Sequence, residues 1–190
     1  MDFDSTGALT LLNGTVPGDG LQNRQGRTIS MQNITLRFYI SKDKAGASPK
    51  PDFLRLVLVY DRQANNATPT LGTILSTVDN AGTGTTTALS SVNLSYQARF
   101  AIIRDWSWAI CDQALFGTGD TGATTLAAAP VAGHKVFVNL KGLETQYNSG
   151  TTGTIADIAS GALYLLALGL NANVDSQFAV NFQSRIRFTD

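Results

Sequence analysis

The sequence predicts an all-β chain folded as a Greek-key sandwich of about eight strands, and three observations carry that prediction. Charged residues are 15 % of the 190, eighteen glycines stand among many Thr, Ser and Asn, and Glu144 is the single glutamate. Such a chain is poor in helix formers and rich in turn chemistry. Phe53 to Asp61, FLRLVLVYD, is apolar on both alternations with only Arg55 breaking the run, as a central strand covered on both faces requires. Phe178 to Phe188 alternates cleanly, with Phe178, Val180, Phe182, Ile186 and Phe188 facing in and Asn181, Gln183, Arg185 and Arg187 facing out.

In chain order, 1–23 has no sustained period and contains Asn13-Gly14, Pro17-Gly18 and Asp19-Gly20, so it is expected to be an irregular N-terminal segment. Arg27 to Ile40 reads as a strand with Ile34, Leu36, Phe38 and Ile40 on one face and Asn33, Thr35, Arg37 and Tyr39 on a wet one. Ser41 to Pro51 reads as a loop into the Phe53 strand. Leu71, Ile74, Leu75 and Val78 recur at helical spacing behind Thr70, which predicts a short helix over 71–78 capped by that threonine. Asp79 to Asn93 is Gly- and Thr-rich loop. Arg99 to Cys111 predicts two short strands broken at Asp105, and Phe116 to Val131 another loop with a helical turn over 126–129. His134 to Leu140 alternates, Leu143 to Asn148 is a weaker strand after Gly142, and Ser149 to Ser160 is turn-rich. Ala162 to Leu168, ALYLLAL, is apolar on both faces and is the natural sheet partner of the Phe53 strand. No repeat or change of composition divides the chain, so 1–190 is expected to be one domain.

The chemistry of these residues excludes more than it supports. One His and one Cys leave His134 as the obligatory base of any Ser-His-Asp or Cys-His arrangement, and His134 opens an ordinary strand with no nucleophile elbow in sight. The expectation is that the protein is not an enzyme. Metal clusters of His and Cys are excluded by the same arithmetic, although oxygen ligands for Ca2+ remain open. Gly82-Thr83-Gly84 and Gly117-Thr118-Gly119 lack the Lys and the strand-to-helix setting of a phosphate loop. The lone Cys111 and the lack of a leader-like start argue against a disulfide-bonded secreted domain, so the sequons at Asn13, Asn33, Asn66 and Asn93 read as chance. No run is long enough for a membrane-spanning helix. Formal net charge is zero, yet Arg24 to Arg62 holds Arg24, Arg27, Arg37, Lys42, Lys44, Lys50, Arg55 and Arg62 against three aspartates. That block is either a polyanion-facing surface or solvated strand and loop charge.

The order of several segments resembles a known family. LLNGTVPGDGLQNRQGRTISMQNITLRFYI, FLRLVLVYDRQANNATPT with LGTILSTV, QARFAIIRDWSW, GALYLLALG and SRIRFTD run through nearly the full chain as in capsid proteins of circular Rep-encoding single-stranded DNA viruses. The layout is similar to that of the satellite tobacco necrosis virus coat protein. The resemblance implies a single eight-stranded jelly roll of two packed antiparallel four-stranded sheets. It further implies self-assembly of about sixty copies into a T=1 icosahedral virion around a single-stranded genome, with assembly in the nucleus if that genome is DNA.

Such capsid proteins open with an Arg- and Lys-rich arm, whereas this chain opens Met1-Asp2-Phe3-Asp4. The expectation is therefore that the basic arm is absent, through trimming or engineering, or because folded-surface charge alone packages the genome, and that nucleic acid is held weakly. Arg24, Arg27, Arg37, Arg55, Arg99, Arg104, Arg185 and Arg187 are the candidate nucleic-acid-facing residues, with pairing to aspartates as their alternative role. Asp190 is the candidate ligand for Ca2+ at a subunit contact, where the satellite-virus pattern has a terminal ligand. The alternative function is a non-viral β-sandwich module binding carbohydrate or another ligand, which would need Trp106 and Trp108 as an exposed aromatic platform.

Overall fold

Hydrophobic runs on both alternations dictate the architecture, because a strand apolar on both faces must lie inside a sheet that is covered twice. The computed structural model describes residues 2–45, 52–77, 84–110, 132–170 and 176–190. Among these are nine strands: β1 (Asp2–Phe3), β2 (Ala8–Leu11), β3 (Thr28–Ala45), β4 (Asp52–Asp61), β5 (Phe100–Ile110), β6 (Ala132–Tyr147), β7 (Ile158–Ser160), β8 (Ala162–Gly169) and β9 (Ser176–Thr189). Sheet A has the order β1-β9-β3-β6-β7 and sheet B the order β2-β8-β4-β5, every described pair being antiparallel. Apart from three-residue β7, this is the eight-stranded jelly roll of two four-stranded sheets, its strands paired β1 with β9, β2 with β8, β3 with β6 and β4 with β5.

The two doubly apolar segments are neighbours in sheet B, with Leu56 opposite Ala167, Val57 opposite Leu166 and Leu58 opposite Leu165. Leu54, Leu56, Leu58 and Leu165 point into the inter-sheet core with Ile34, Leu36, Phe38, Ile40 and Val138 of sheet A. Val57, Val59, Leu166 and Leu168 point the other way and are equally buried. Their cover is the connection from β4 to β5: Ile74 and Leu75, Ala88, and Phe100 at the start of β5 close over them. Arg55 ties that cover down, donating to the carbonyls of Ala88 and Ser90 while its Nε and Nη2 grip both carboxylate oxygens of Asp105 at 2.9 and 2.6 Å.

Several expectations are corrected by the register. The helix over 71–78 is one turn, α1 (Leu71–Ile74), because Leu75 is extended and bridges to Val92; Thr70 makes no side-chain cap, and Val78 lies outside the described residues. β5 is one strand rather than two, the irregularity lying opposite Leu58/Val59 and not at Asp105, which Arg55 holds in place. Likewise 134–147 is continuous, Gly142 at φ +94° taking up the bulge opposite Met31/Asn33. The loop expected from Ser41 begins later, since β3 pairs with β9 as far as Ala45–Ser176. The segment 1–23, expected to be irregular, supplies β1 and β2 at the edges of the two sheets. The helical turn over 126–129 and the loop 116–131 lie outside the described residues.

A buried polar network fastens this segment to the sandwich. Asn13, fully buried, donates from Nδ2 to Thr145 Oγ1 at 2.7 Å and to the Gly161 carbonyl at 2.8 Å, and accepts from the Leu163 amide at 2.9 Å. The Tyr147 hydroxyl donates to the Asn13 carbonyl at 2.6 Å and accepts from Thr15. Gly161 is required here: its φ is +77°, and a Cβ would stand 1.9 Å from the Glu144 carbonyl oxygen. At the same end, burial pushes the Asp157 carboxyl upward, but hydrogen bonds from the Thr152 hydroxyl and the Gly153 amide outweigh it and hold it below the ordinary carboxylate value.

Two measurements check this account. Leu165→Ala in the inter-sheet core and Leu166→Ala under the outer cover should each lower subunit stability by about 2–5 kcal/mol in urea denaturation; a loss confined to Leu165→Ala would mean the outer face is wet. For Asp157, a depressed carboxyl stabilises above the ordinary carboxylate range and loses that contribution as pH falls through its own lower value. Asp157→Asn should therefore flatten the fall of melting temperature on acidification, and an unchanged acid limb would refute the assignment.

Candidate functional site

Alternation decides which side chains sheet A shows to solvent, and register decides which of them stand together. On β3 the outward residues are Asn33, Thr35, Arg37 and Tyr39; on β9 they are Arg187, Arg185, Gln183 and Asn181; on β6 they are Asn139, Phe137 and Lys135, followed by Gly133. Antiparallel pairing arranges them in rows across three strands: Arg187-Asn33-Asn139, Arg185-Thr35-Phe137, Gln183-Arg37-Lys135 and Asn181-Tyr39-Gly133. No carboxylate falls in these four rows. Glu144 is outside them, opposite Ser30 beyond the bulge. Arg37, Lys135, Arg185 and Arg187 are exposed, and among the described residues none forms an ion pair. With neighbouring strands about 4.8 Å apart, four cations on so small a face give it a positive field although the whole chain is neutral.

The face also carries aromatic surface. Phe137 is 64 % exposed and Tyr39 42 %. Gly133, opposite Tyr39, leaves a shallow notch lined by Arg37, Tyr39, Lys135, Asn181 and Gln183 together with the row Phe38, His134 and Phe182, and a Cβ built on Gly133 meets nothing within 4 Å.

The eight candidate arginines divide into three groups. Arg37, Arg185 and Arg187 are brought together on this face. Arg27 is exposed just before β3, and Arg104 is exposed on β5, where it donates to the Ile103 carbonyl. Arg24, Arg55 and Arg99 take structural places, Arg55 and Arg99 in the alternative role of pairing to aspartates. Arg24 is 4 % exposed, donates to the Gly26 and Gly150 carbonyls at 2.8 and 2.9 Å, and lies 4.2 Å over the Tyr147 ring. Arg99 makes a two-pronged pair with fully buried Asp61, both hydrogen bonds 2.8 Å, which holds the guanidinium pKa above its ordinary value. Asp61 also accepts from the Gln63 amide, so the Asp61-Arg62-Gln63 signature is a turn lock. Lys135 and Phe137 are legible in HKVFVNL, where they alternate against Val136, Val138 and Leu140, but they lie outside the basic block at 24–62.

Other sequence candidates take structural places. Trp106 and Trp108 are half-buried between the sheets, their rings 6.3 and 5.8 Å from Phe38, so the platform a carbohydrate-binding module would need is turned inward. His134 packs against Phe38 and Trp108 at 5.4 and 5.2 Å as a core ring. Asp190 is exposed and accepts from the Gln25 amide at 2.7 Å; among the described residues no three His, Cys, Asp or Glu side chains gather as a metal group. Among them, too, no helix is long and apolar enough to cross a membrane.

Comparison with known proteins bears on the same chain from outside. The family model described as geminivirus coat protein/nuclear export factor BR1 matches residues 1–190. A capsid protein of Tobacco yellow dwarf virus (strain Australia) is 25 % identical over 191 residues, covering 95 % of this chain and 72 % of that protein.

The sorting of the arginines has a direct check. Arg99→Gln leaves the buried Asp61 carboxylate without its counter-ion and should lower stability by about 3 kcal/mol, whereas Arg185→Gln should stay within about 0.5 kcal/mol of the unsubstituted protein. Equal losses in thermal or urea unfolding would refute the division.

Proposed function

Because this chain belongs to the geminivirus coat protein/nuclear export factor BR1 family over its full length, and is accordingly a structural capsid protein and virion component, we propose the form and orientation of the shell it builds. About sixty copies close into the smallest icosahedral shell, the wall formed by the sandwich and the contacts by its edges and end loops. The outer face of sheet A looks inward at a single-stranded genome. The observation that carries this orientation is the row pattern of that face, where Arg37, Lys135, Arg185 and Arg187 form no ion pair among the described residues while the aspartates Asp61 and Asp105 are already occupied by arginines of the same chain.

Genome attraction grows with the number of phosphates neutralised and weakens with salt. Nucleic acid held through this positive face is released as salt rises. Calcium, if used, would join Asp190 to oxygen donors of a neighbouring copy. For a DNA genome, assembly is expected in the nucleus.

Negative-stain microscopy and size-exclusion chromatography of the purified protein test the assembly, with uniform small shells expected. The combined variant Arg37→Gln, Arg185→Gln, Arg187→Gln should still form shells while their nucleic-acid content, read by absorbance ratio, falls. A protein that stays monomeric at high concentration across a range of salt would overturn the shell; variant shells as full as the unsubstituted ones would overturn the inward orientation of sheet A.

A further inference from the structure

We propose that the outer face of sheet A holds its strand by the bases as well as the phosphates, with Phe137 and Tyr39 as stacking surfaces and the notch over Gly133 as the seat of one base. This rests on the inward orientation of sheet A and specifies what that face recognises: an unpaired polynucleotide strand.

A Phe at 64 % exposure on a water-facing sheet leaves apolar ring surface with no neighbour to cover it, its cross-strand partner being Thr35. Tyr39 stands four residues further along β3 than Thr35, about 13 Å along the strand direction. Arg37 and Lys135 occupy the row between the two rings. The pattern across the face is thus aromatic, cation, aromatic, flanked on β9 by Arg185 and Arg187. That is the arrangement a flexible single strand requires, with phosphates meeting guanidinium or ammonium groups and the intervening bases meeting π-faces. A duplex offers no free base faces, so it would use the cations alone.

The notch gives a second, independent reason. Opposite Tyr39 the chain has Gly133, which has no positive φ calling for glycine and no close neighbour excluding a side chain. Its smallness serves the space above it. Tyr39, Asn181 and Gln183 are among the residues around that space, types that supply a stacking ring and hydrogen-bond donors and acceptors. These are the groups that hold a splayed base, and amides that rotate tolerate any of the bases.

The test is fluorescence anisotropy of the full chain with labelled oligothymidylate and oligouridylate, the two arms separating a DNA from an RNA strand, with duplex DNA alongside at the same salt. Phe137→Ala removes a largely exposed ring, and Gly133→Val fills the notch with a good strand former, so both should fold. Each should weaken single-strand binding about tenfold while leaving the salt dependence and the duplex affinity unchanged. Arg187→Gln should instead lower the salt slope. Unchanged single-strand affinity in both Phe137→Ala and Gly133→Val overturns the proposal, as does an equal loss for duplex. Loss of shells in Phe137→Ala with oligonucleotide affinity retained would assign the ring to a contact between copies and also overturns it. Shell formation by the unsubstituted protein is scored separately by microscopy, so a failure of base recognition and a failure of the shell are told apart.

Discussion

Sheet B has no face that it can leave wet: β4 and β8 lie side by side, apolar above and below, and everything else in the sandwich follows from having to cover them twice. A fully buried Leu or Val side chain is worth roughly 1.5–3 kcal/mol relative to exposure, so leaving the Val57, Val59, Leu166 and Leu168 side in water would forfeit a stabilisation comparable to that of a whole domain. Sheet A covers one side. The other is covered by the connection between β4 and β5, which in its described part contains little regular structure and is held by Arg55 through two carbonyls and one carboxylate. What looks in the sequence like a long Gly- and Thr-rich loop is in its described part a lid of the core.

That arrangement also explains how a neutral chain acquires a charged face. Asp61 and Asp105 sit at strand positions of sheet B, where Arg99 and Arg55 satisfy them within the subunit. Asp157 is consumed by backbone and hydroxyl donors of its own turn, and Asp190 by the Gln25 amide. These four carboxylates are thus spent on fixing turns and cover, while the four rows from Asn33 to Tyr39 and their partners on β6 and β9 receive cations without a carboxylate. Separation of charge by strand parity gives sheet A its field, and the neutral total conceals it.

Strand parity was legible throughout. The outward set Asn33, Thr35, Arg37, Tyr39 and the outward set Asn181, Gln183, Arg185, Arg187 were readable from period two alone, whereas the pairing of Phe53–Asp61 with Ala162–Leu168 was legible from a different signal, the two segments that are apolar on both alternations. Element ends were read less well. SKDKA has no apolar alternation, so it read as loop, yet β3 continues because backbone pairing to β9 needs no apolar side chain. Gly142 read as a break and is a bulge, since glycine marks both equally well. The role of each arginine was not legible, because Arg24, Arg37 and Arg99 differ only in what lies across from them.

What the sequence determined by itself is therefore the local and the periodic: all-β class, which strand is doubly buried, and which side chains share a face. Only the tertiary structure decided the rest. The rows that set Arg37 beside Lys135 and Phe137 beside Thr35 join residues about a hundred positions apart, and the pairings Arg99–Asp61 and Arg24–Tyr147 are likewise long-range. Period two says which way a side chain points, but it carries no information about which strand lies next to it; that choice belongs to the packing of the two sheets, where the free energy of burial is decided for the chain as a whole.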